Sequence, residues 1–293
     1  MSLHTIIPGT LWGAAGWLPG GAREVSWLPP RLPGFLPVTA YALRDGTEWL
    51  AVDTGLPIHW PALRDALAPT LAGAARRRMV NTRRERDCMA NLHAMARAFG
   101  IAEIPYVGVL NPVELLDAVE DAETEARIRA MAPVSPPVRT TRIEVGEVLR
   151  IGRLRLEPLR VQLRLLATNW FHEGVTGTLF TSDAFGWLTR PDAVSPLVRA
   201  PDEAPLDPAP LARTLARKFD WLVGIDPAPI LADLDAIFAA RVIERLCPGY
   251  GLVIEGESAV REALAAMRQA IATLAARRPP AWHFDDATAE ETA

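Results

Sequence analysis

Cysteine, histidine and long apolar runs are all scarce in this sequence of 293 residues. Its two cysteines, Cys88 and Cys247, are too few for a disulfide framework and form no CxxC pair. No run of about eighteen apolar residues occurs, and the N-terminal residues lack a basic segment followed by an apolar stretch. We therefore expect free thiols, no membrane association, no secretory signal and a cytoplasmic location.

The charge balance also excludes a class of partner. There are 31 basic and 35 acidic residues, which give a formal net charge of −4. The most basic stretch, residues 76–86, is divided by an apolar run and carries no interleaved aromatic residues, which favours a solvated face. We therefore do not expect a nucleic-acid partner.

Hydrophobic periodicity predicts an α/β protein with mixed sheets covered by helices. Asp45-Gly46 separates two β-type runs, 38–45 and 47–55, as in a hairpin. A period of two dominates 138–185. Helical patterns cover 59–75, 89–99, 112–132, 208–222, 229–246 and 257–277. The Pro- and Gly-rich segment 17–37 is predicted to be a loop that covers a pocket, forms an interface arm or simply packs on the core.

Five short segments, in order and at compatible separations, then carry a resemblance. They are AVDTGLP (51–57), RRERDCMANL (83–92), LRLLATNWF (163–171), TLFTSDAFG (178–186) and CPGYG (247–251). Together they resemble motifs of the metallo-β-lactamase fold superfamily, in particular the branch of flavodiiron proteins and stand-alone oxygen-binding di-iron proteins. The resemblance implies a four-layer αββα sandwich in one domain, residues 1–276, followed by a flexible tail, residues 277–293.

In that family, four histidines and three carboxylates surround two metal ions. Carried over by position, the resemblance assigns a relict metal-site pocket whose members are Arg83, Glu85, Asp87, Cys88, Arg164, Asp183 and Tyr250. The three carboxylates are kept, whereas all four histidines are replaced and none of the five histidines of the chain takes a matched position. A guanidinium cannot coordinate a metal. We therefore predict no cofactor, or at most a single Fe or Zn ion, and expect Arg83 and Arg164 to neutralise the carboxylates.

Two functions remain open at this point. The first is a non-catalytic protein that binds a small anionic ligand or a protein partner; by analogy with the di-iron relatives it could be a homodimer. The alternative is an enzyme: a metal-dependent hydrolase or di-iron-type oxidoreductase with a reduced site of Glu85, Asp87, Cys88 and Asp183, or metal-independent chemistry in the same pocket. Cys88 could serve as a nucleophile beside cationic arginines, with Cys247 and Tyr250 nearby, but no histidine is placed to act as its base.

Overall fold

A computed structural model describes residues 2–22, 28, 32–114, 138–165 and 167–278. Its strands are β1 (Ser2–Ile7), β2 (Leu11–Pro19), β3 (Phe35–Asp45), β4 (Glu48–Val52), β5 (Arg76–Val80), β6 (Glu103–Val107), β7 (Arg139–Ile143), β8 (Leu149–Ile151), β9 (Leu154–Leu159), β10 (Trp170–Glu173), β11 (Thr178–Ser182), β12 (Arg245–Pro248) and β13 (Ile254–Glu255). Its α-helices are α1 (Trp60–Leu67), α2 (Arg86–Met89), α3 (Leu92–Phe99), α4 (Pro208–Lys218), α5 (Ala228–Ala239) and α6 (Glu257–Ala275). Most of the helix predicted at 112–132, and the predicted tail beyond residue 278, lie outside the described residues.

The strands form two sheets. The first has the order β1-β2-β3-β4-β5-β6-β7 and the second the order β13-β12-β11-β10-β9-β8. Strands β4 to β7 run parallel to one another, as do β11 and β12. No helix in the described part of the chain is long and apolar enough to cross a membrane.

Successive side chains of a strand point to opposite faces of its sheet, and this alternation explains how each sheet packs on both of its faces. On β4, Leu50 points into a core shared with Phe171 of the second sheet, whereas its neighbour Trp49 packs outward with Phe99 of α3. The outer face of the second sheet packs on α4, α5 and α6 through a separate core that contains Leu215 and Met267. The predicted four-layer αββα arrangement is thereby confirmed.

The hairpin prediction is confirmed, since Asp45 pairs with Glu48 across the turn between β3 and β4. The predicted helix over 89–99 is wrong in one respect, because the chain forms two helices, α2 and α3. Asn91 stands between them, and its side-chain amide donates to the carbonyls of Thr54 and Gly55 at 2.9 and 3.0 Å. These hydrogen bonds hold Asn91 against the loop after β4, and the chain therefore breaks into two helices there.

Other element boundaries are also wrong. The helices predicted over 59–75 and 208–222 end as α-helices at Leu67 and Lys218. The predicted loop over 17–37 is shorter, because Trp17 lies in β2 and Phe35 begins β3, where it exchanges backbone hydrogen bonds with Arg190. The predicted helix over 229–246 ends at Ala239, and Arg245 already belongs to β12. Pairing with β11 in the buried second sheet decides that boundary, which helical periodicity could not reveal.

Candidate functional site

The candidate site lies where parallel strands of the two sheets end. Arg83 follows β5, Asp183 follows β11 and Tyr250 follows β12, so their loops share one edge of the sandwich. The two sheets are tied together there by a hydrogen bond of 2.9 Å between the hydroxyls of Thr82 and Ser182.

Arg83 is the centre of the site. Its guanidinium is fully buried and pairs with three carboxylates: Nη2 with Asp87, Nη1 with Asp183 Oδ1 at 2.7 Å, and Nε with Glu85 Oε2 at 3.4 Å. Burial alone would lower the pKa of Arg83, but the charges of Asp183 and Asp87 outweigh it and hold the pKa well above its usual value. The guanidinium is therefore a fixed positive charge.

A second cation comes from a residue that we did not predict. Lys218, at the end of α4, donates through Nζ to Glu85 Oε2 and lies 3.6 Å from Asp183 Oδ1. Arg164, which we expected in this role, is half-buried, and no ion pair joins it to a carboxylate in the described part of the chain. The expectation for Arg164 is wrong because its loop does not bring it to the carboxylates, whereas helix α4 ends at the cluster.

The sequence contained a signal for Lys218. In α4, Leu211 and Leu215 are spaced as on one helical face, and Lys218 continues that face one turn later. Lysine is rarely buried unless it is paired, so a lysine at an apolar position predicts a buried acidic partner. Periodicity does not say which acid, because Glu85 is 133 positions away in the sequence.

Two of the three carboxylates, Asp183 and Glu85, have contrasting environments. Asp183 is almost fully buried, and neither of its oxygens accepts a well-oriented hydrogen bond from a described residue, despite the short contact with Arg83. Burial raises the pKa of Asp183 to about 6, against the opposing charges of Arg83 and Lys218. Glu85 has a third of its side chain exposed; burial opposes its ionisation, but Arg83 and Lys218 hold its pKa below the usual value.

Asp53, the acid of the AVDTGLP motif, fixes the loop that carries Arg83. Its carboxylate accepts hydrogen bonds from the backbone N–H and the hydroxyl of Thr82, both at 2.7 Å. Burial raises the pKa of Asp53 to about 6, although Arg83 and the two Thr82 hydrogen bonds oppose that rise. Since Arg83 Nη1 also donates to Ser182 Oγ at 3.1 Å, a continuous hydrogen-bonded chain joins Asp53 to the arginine.

Cys88 and Tyr250 border the same cluster. Cys88 is buried with Sγ 3.6 Å from Thr82 Oγ1, and burial raises the pKa of its thiol well above the usual value, which does not suit a nucleophile. The Tyr250 ring lies 5.7 Å from Arg83 Cζ, a cation–π distance. A Cβ at Gly186 would come within 2.5 Å of that ring, so the ring fits because residue 186 is glycine. Cys247 instead packs in the core between the sheets.

Comparison with solved structures identifies the architecture. Rubredoxin oxygen:oxidoreductase from Desulfovibrio gigas superposes with a TM-score of 0.62 and 16% identity over 92% of this chain and 61% of that chain. A metal-soaked flavodiiron core from Synechocystis gives a TM-score of 0.63 and 14% identity over 93% and 62%. A fragment of a putative diflavin flavoprotein from Nostoc gives 0.61 and 14% over 94% and 95%. This chain has the metallo-β-lactamase fold of the flavodiiron cores.

The likeness concerns the fold and part of the relatives' length. This chain spans 61% of the Desulfovibrio protein and 62% of the Synechocystis core. No protein-family model matches the sequence, and no curated protein matches it.

The residues at the site do not fit the di-iron centre that the flavodiiron likeness implies. Within the described ranges, no group of three or more His, Cys, Asp or Glu side chains is arranged to hold a metal ion. A guanidinium, which has no lone pair to donate, occupies the space between Glu85, Asp87 and Asp183. His172 does not supply a ligand either, because it lies in β10 with its Nε2 3.1 Å from the Val242 carbonyl oxygen.

Proposed function

We propose that this chain is a metallo-β-lactamase-fold protein without di-metal chemistry, which acts as a non-catalytic binding protein for a small ligand or a protein partner. The observation that carries the proposal is the position of Arg83, whose buried guanidinium pairs with all three carboxylates that the family would give to metals. A chain that kept a metal there would have to expel this side chain.

The charges of the cluster support the same proposal. Arg83 and Lys218 supply two positive charges to Glu85, Asp87 and Asp183, and Asp183 holds its proton more tightly than an exposed aspartate does. The two side-chain cations therefore offset two of three carboxylate charges that would otherwise repel one another in a mostly buried site, and protonation of Asp183 removes the third below about pH 6. A divalent ion would compete with two cations that are already in place.

Metal analysis tests this proposal. Protein purified without chelators, and again after incubation with Fe(II) or Zn(II) and removal of excess ion, is analysed by inductively coupled plasma mass spectrometry. The Synechocystis flavodiiron core treated in parallel serves as the positive control for loading. We expect metal only at trace level in this chain. Tightly bound metal in stoichiometric amount would overturn the proposal and restore the alternative, a hydrolase or di-iron-type oxidoreductase with a reduced site.

A second experiment tests whether the Arg83 side chain itself excludes metal. If the guanidinium excludes metal, the variant Arg83→Ala should bind Zn(II) more tightly than the wild type, provided that it folds. Circular dichroism at the assay temperature checks folding.

The cytoplasmic location and the homodimer, both inferred from the sequence, stay predictions.

A further inference from the structure

A cavity of about 360 Å³ is lined in part by two segments that also carry residues of the Arg83 cluster. One wall is the segment just after Asp183, which contributes Trp187, Leu188 and Thr189. The other is α4, which contributes Arg213 and, one turn before Lys218, Thr214. The volume is within the range of small-molecule sites in proteins.

The cavity has apolar walls from two hydrophobic clusters. Trp187, Leu188 and Leu206 belong to the core around α4, or pack against it, whereas Leu32 packs with the separate cluster around Leu36. Leu32 is part of the Pro- and Gly-rich segment 17–37, for which a pocket-covering role was one of three predictions.

The loop behind the cavity is held by two arginines. The Arg199 guanidinium is buried, donates to the Ala204 carbonyl at 2.7 Å and lies 3.5 Å from Glu262. Arg190 donates to the Pro196 and Val198 carbonyls, both at 2.9 Å. Because these contacts tie residues 190–204 together, they hold this part of the cavity wall in one conformation.

The acidic side chains around the cavity already have partners. Glu203 pairs with Arg190 at 2.8 Å and accepts from the Ala200 N–H, and Asp207 caps α4 by accepting from the Ala209 N–H. Arg213 is exposed, and no acidic side chain in the described residues pairs with it. Asp207 keeps its negative charge at the N-terminus of α4, where the helix dipole partly offsets it. Arg213 is the lining cation that no described carboxylate pairs with.

We propose that this cavity binds a small, mainly apolar monocarboxylate, with its hydrocarbon part against Trp187, Leu188 and Leu206 and its carboxylate on Arg213. Apolar walls beside the unpaired guanidinium of Arg213 favour such a molecule, since a guanidinium binds carboxylate in forked geometry, whereas Arg199 is already held by Ala204 and Glu262. The inference names a ligand class for the ligand-binding role proposed above and rests on it.

Isothermal titration calorimetry of the full chain tests the proposal. The probes are 2-naphthoate and octanoate, each compared with its neutral amide. We expect each carboxylate to bind at one site and each amide to bind about 10-fold more weakly, because the amide loses one charge-assisted contact. Absence of binding by both carboxylates at millimolar concentration, or equal binding of acid and amide, would overturn the proposal.

Two variants locate the site. Arg213→Gln should weaken carboxylate binding about 10-fold and leave amide binding unchanged. Arg217→Gln is the matched control, because it removes the same charge from an exposed position of the same helix that does not line the cavity. Equal effects of the two substitutions would place the ligand elsewhere. Metal content is measured separately, so a failure of carboxylate binding leaves the metal-free proposal standing, and the converse also holds.

Discussion

Two buried arginines, Arg78 on β5 and Arg83 just after it, differ in the number of carboxylates that they pair with. That number, rather than solvent exposure, sets the direction in which the arginine pKa is shifted. Arg83 and Arg78 are about equally inaccessible to solvent. Arg83 faces three carboxylates, and its pKa is held above the usual value. Among the described residues Arg78 pairs with a single acid, Glu48, and its pKa is lowered by burial and by the neighbouring charge of Arg76.

The acids of the two clusters also differ. Asp183 is enclosed, and burial raises its pKa. Glu103 begins β6 and so lies at the opposite end of the parallel strands from the Arg83 site. It is also mostly buried, but its partners Arg76 and Arg139 are at least half exposed. Burial opposes the ionisation of Glu103, and the hydrogen bond from Arg76 with the charge of Arg139 outweighs it, so the pKa is lowered. Asp183 is therefore enclosed with its buried partner Arg83, whereas Glu103 pairs with arginines that reach water.

The largest expected effect comes from removing the central arginine. Arg83→Met should lower the free energy of unfolding by about 3–5 kcal/mol, because it leaves buried carboxylates without their counter-charge. Arg78→Met should cost less, about 1–3 kcal/mol, because a quarter of the Glu48 side chain stays exposed to water. Urea denaturation of both variants measures the difference. Equal losses would contradict the inference that the number of carboxylates paired with each arginine sets its contribution to stability.

The pH dependence should have opposite signs in the two clusters. The folded-state pKa of Asp183 is raised from 3.8 to about 6, so folded protein retains a proton that unfolded protein releases in that interval. Wild-type stability relative to Asp183→Asn should therefore fall between about pH 4 and pH 6, by about 3 kcal/mol in all.

For Glu103 the pKa is lowered, so its stabilisation is present above the unfolded-state pKa and is lost in acid. The cost of Glu103→Gln should accordingly be greatest at neutral pH and should shrink as the pH falls below about 4.5. Urea titrations at several pH values check both signs. Parallel trends for the two variants would be inconsistent with a raised pKa at Asp183 and a lowered pKa at Glu103.

A smaller effect on stability should distinguish Lys218, which we did not predict, from Arg164, which we expected at the cluster. Lys218→Met should lower the free energy of unfolding by about 2 kcal/mol, because Glu85 and Asp183 each lose a cation in a mostly buried site. Arg164→Met should change it by less than about 0.5 kcal/mol, since no described carboxylate pairs with Arg164. Thermal unfolding of the two variants decides which residue supports the cluster. A larger loss for Arg164→Met would reverse the assignment.

The last prediction concerns the thiols, whose reactivity does not bear on the stability of the cluster. Burial raises the pKa of both Cys88 and Cys247, so native protein should react with iodoacetamide much more slowly than protein unfolded in guanidinium chloride. Single Cys→Ala variants assign each rate by mass spectrometry. Rapid alkylation of Cys88 in the native state would restore its candidacy as a nucleophile.

The sequence by itself predicted the fold and the neighbourhood of the site. Apolar periodicity and the Asp45-Gly46 turn are local signals, and they predicted mixed sheets covered by helices. The four-layer αββα arrangement was implied by the resemblance of the five motifs to the metallo-β-lactamase fold. The positions of Arg83, Glu85 and Asp87 follow from the same reasoning, because they share one short loop and the start of α2 after β5.

Tertiary structure alone decided which side chains meet. Lys218 reaches Glu85 across 133 positions, whereas Arg164 does not join the cluster although its sequence spacing matched the motif. The physical reason is that ion pairing depends on distances of a few ångströms between elements, whereas periodicity reports only which face of an element is buried. The scarcity of histidine pointed to a lost metal site, and the packing of α4 against the loop after β5 decided that Lys218 joins Arg83 there.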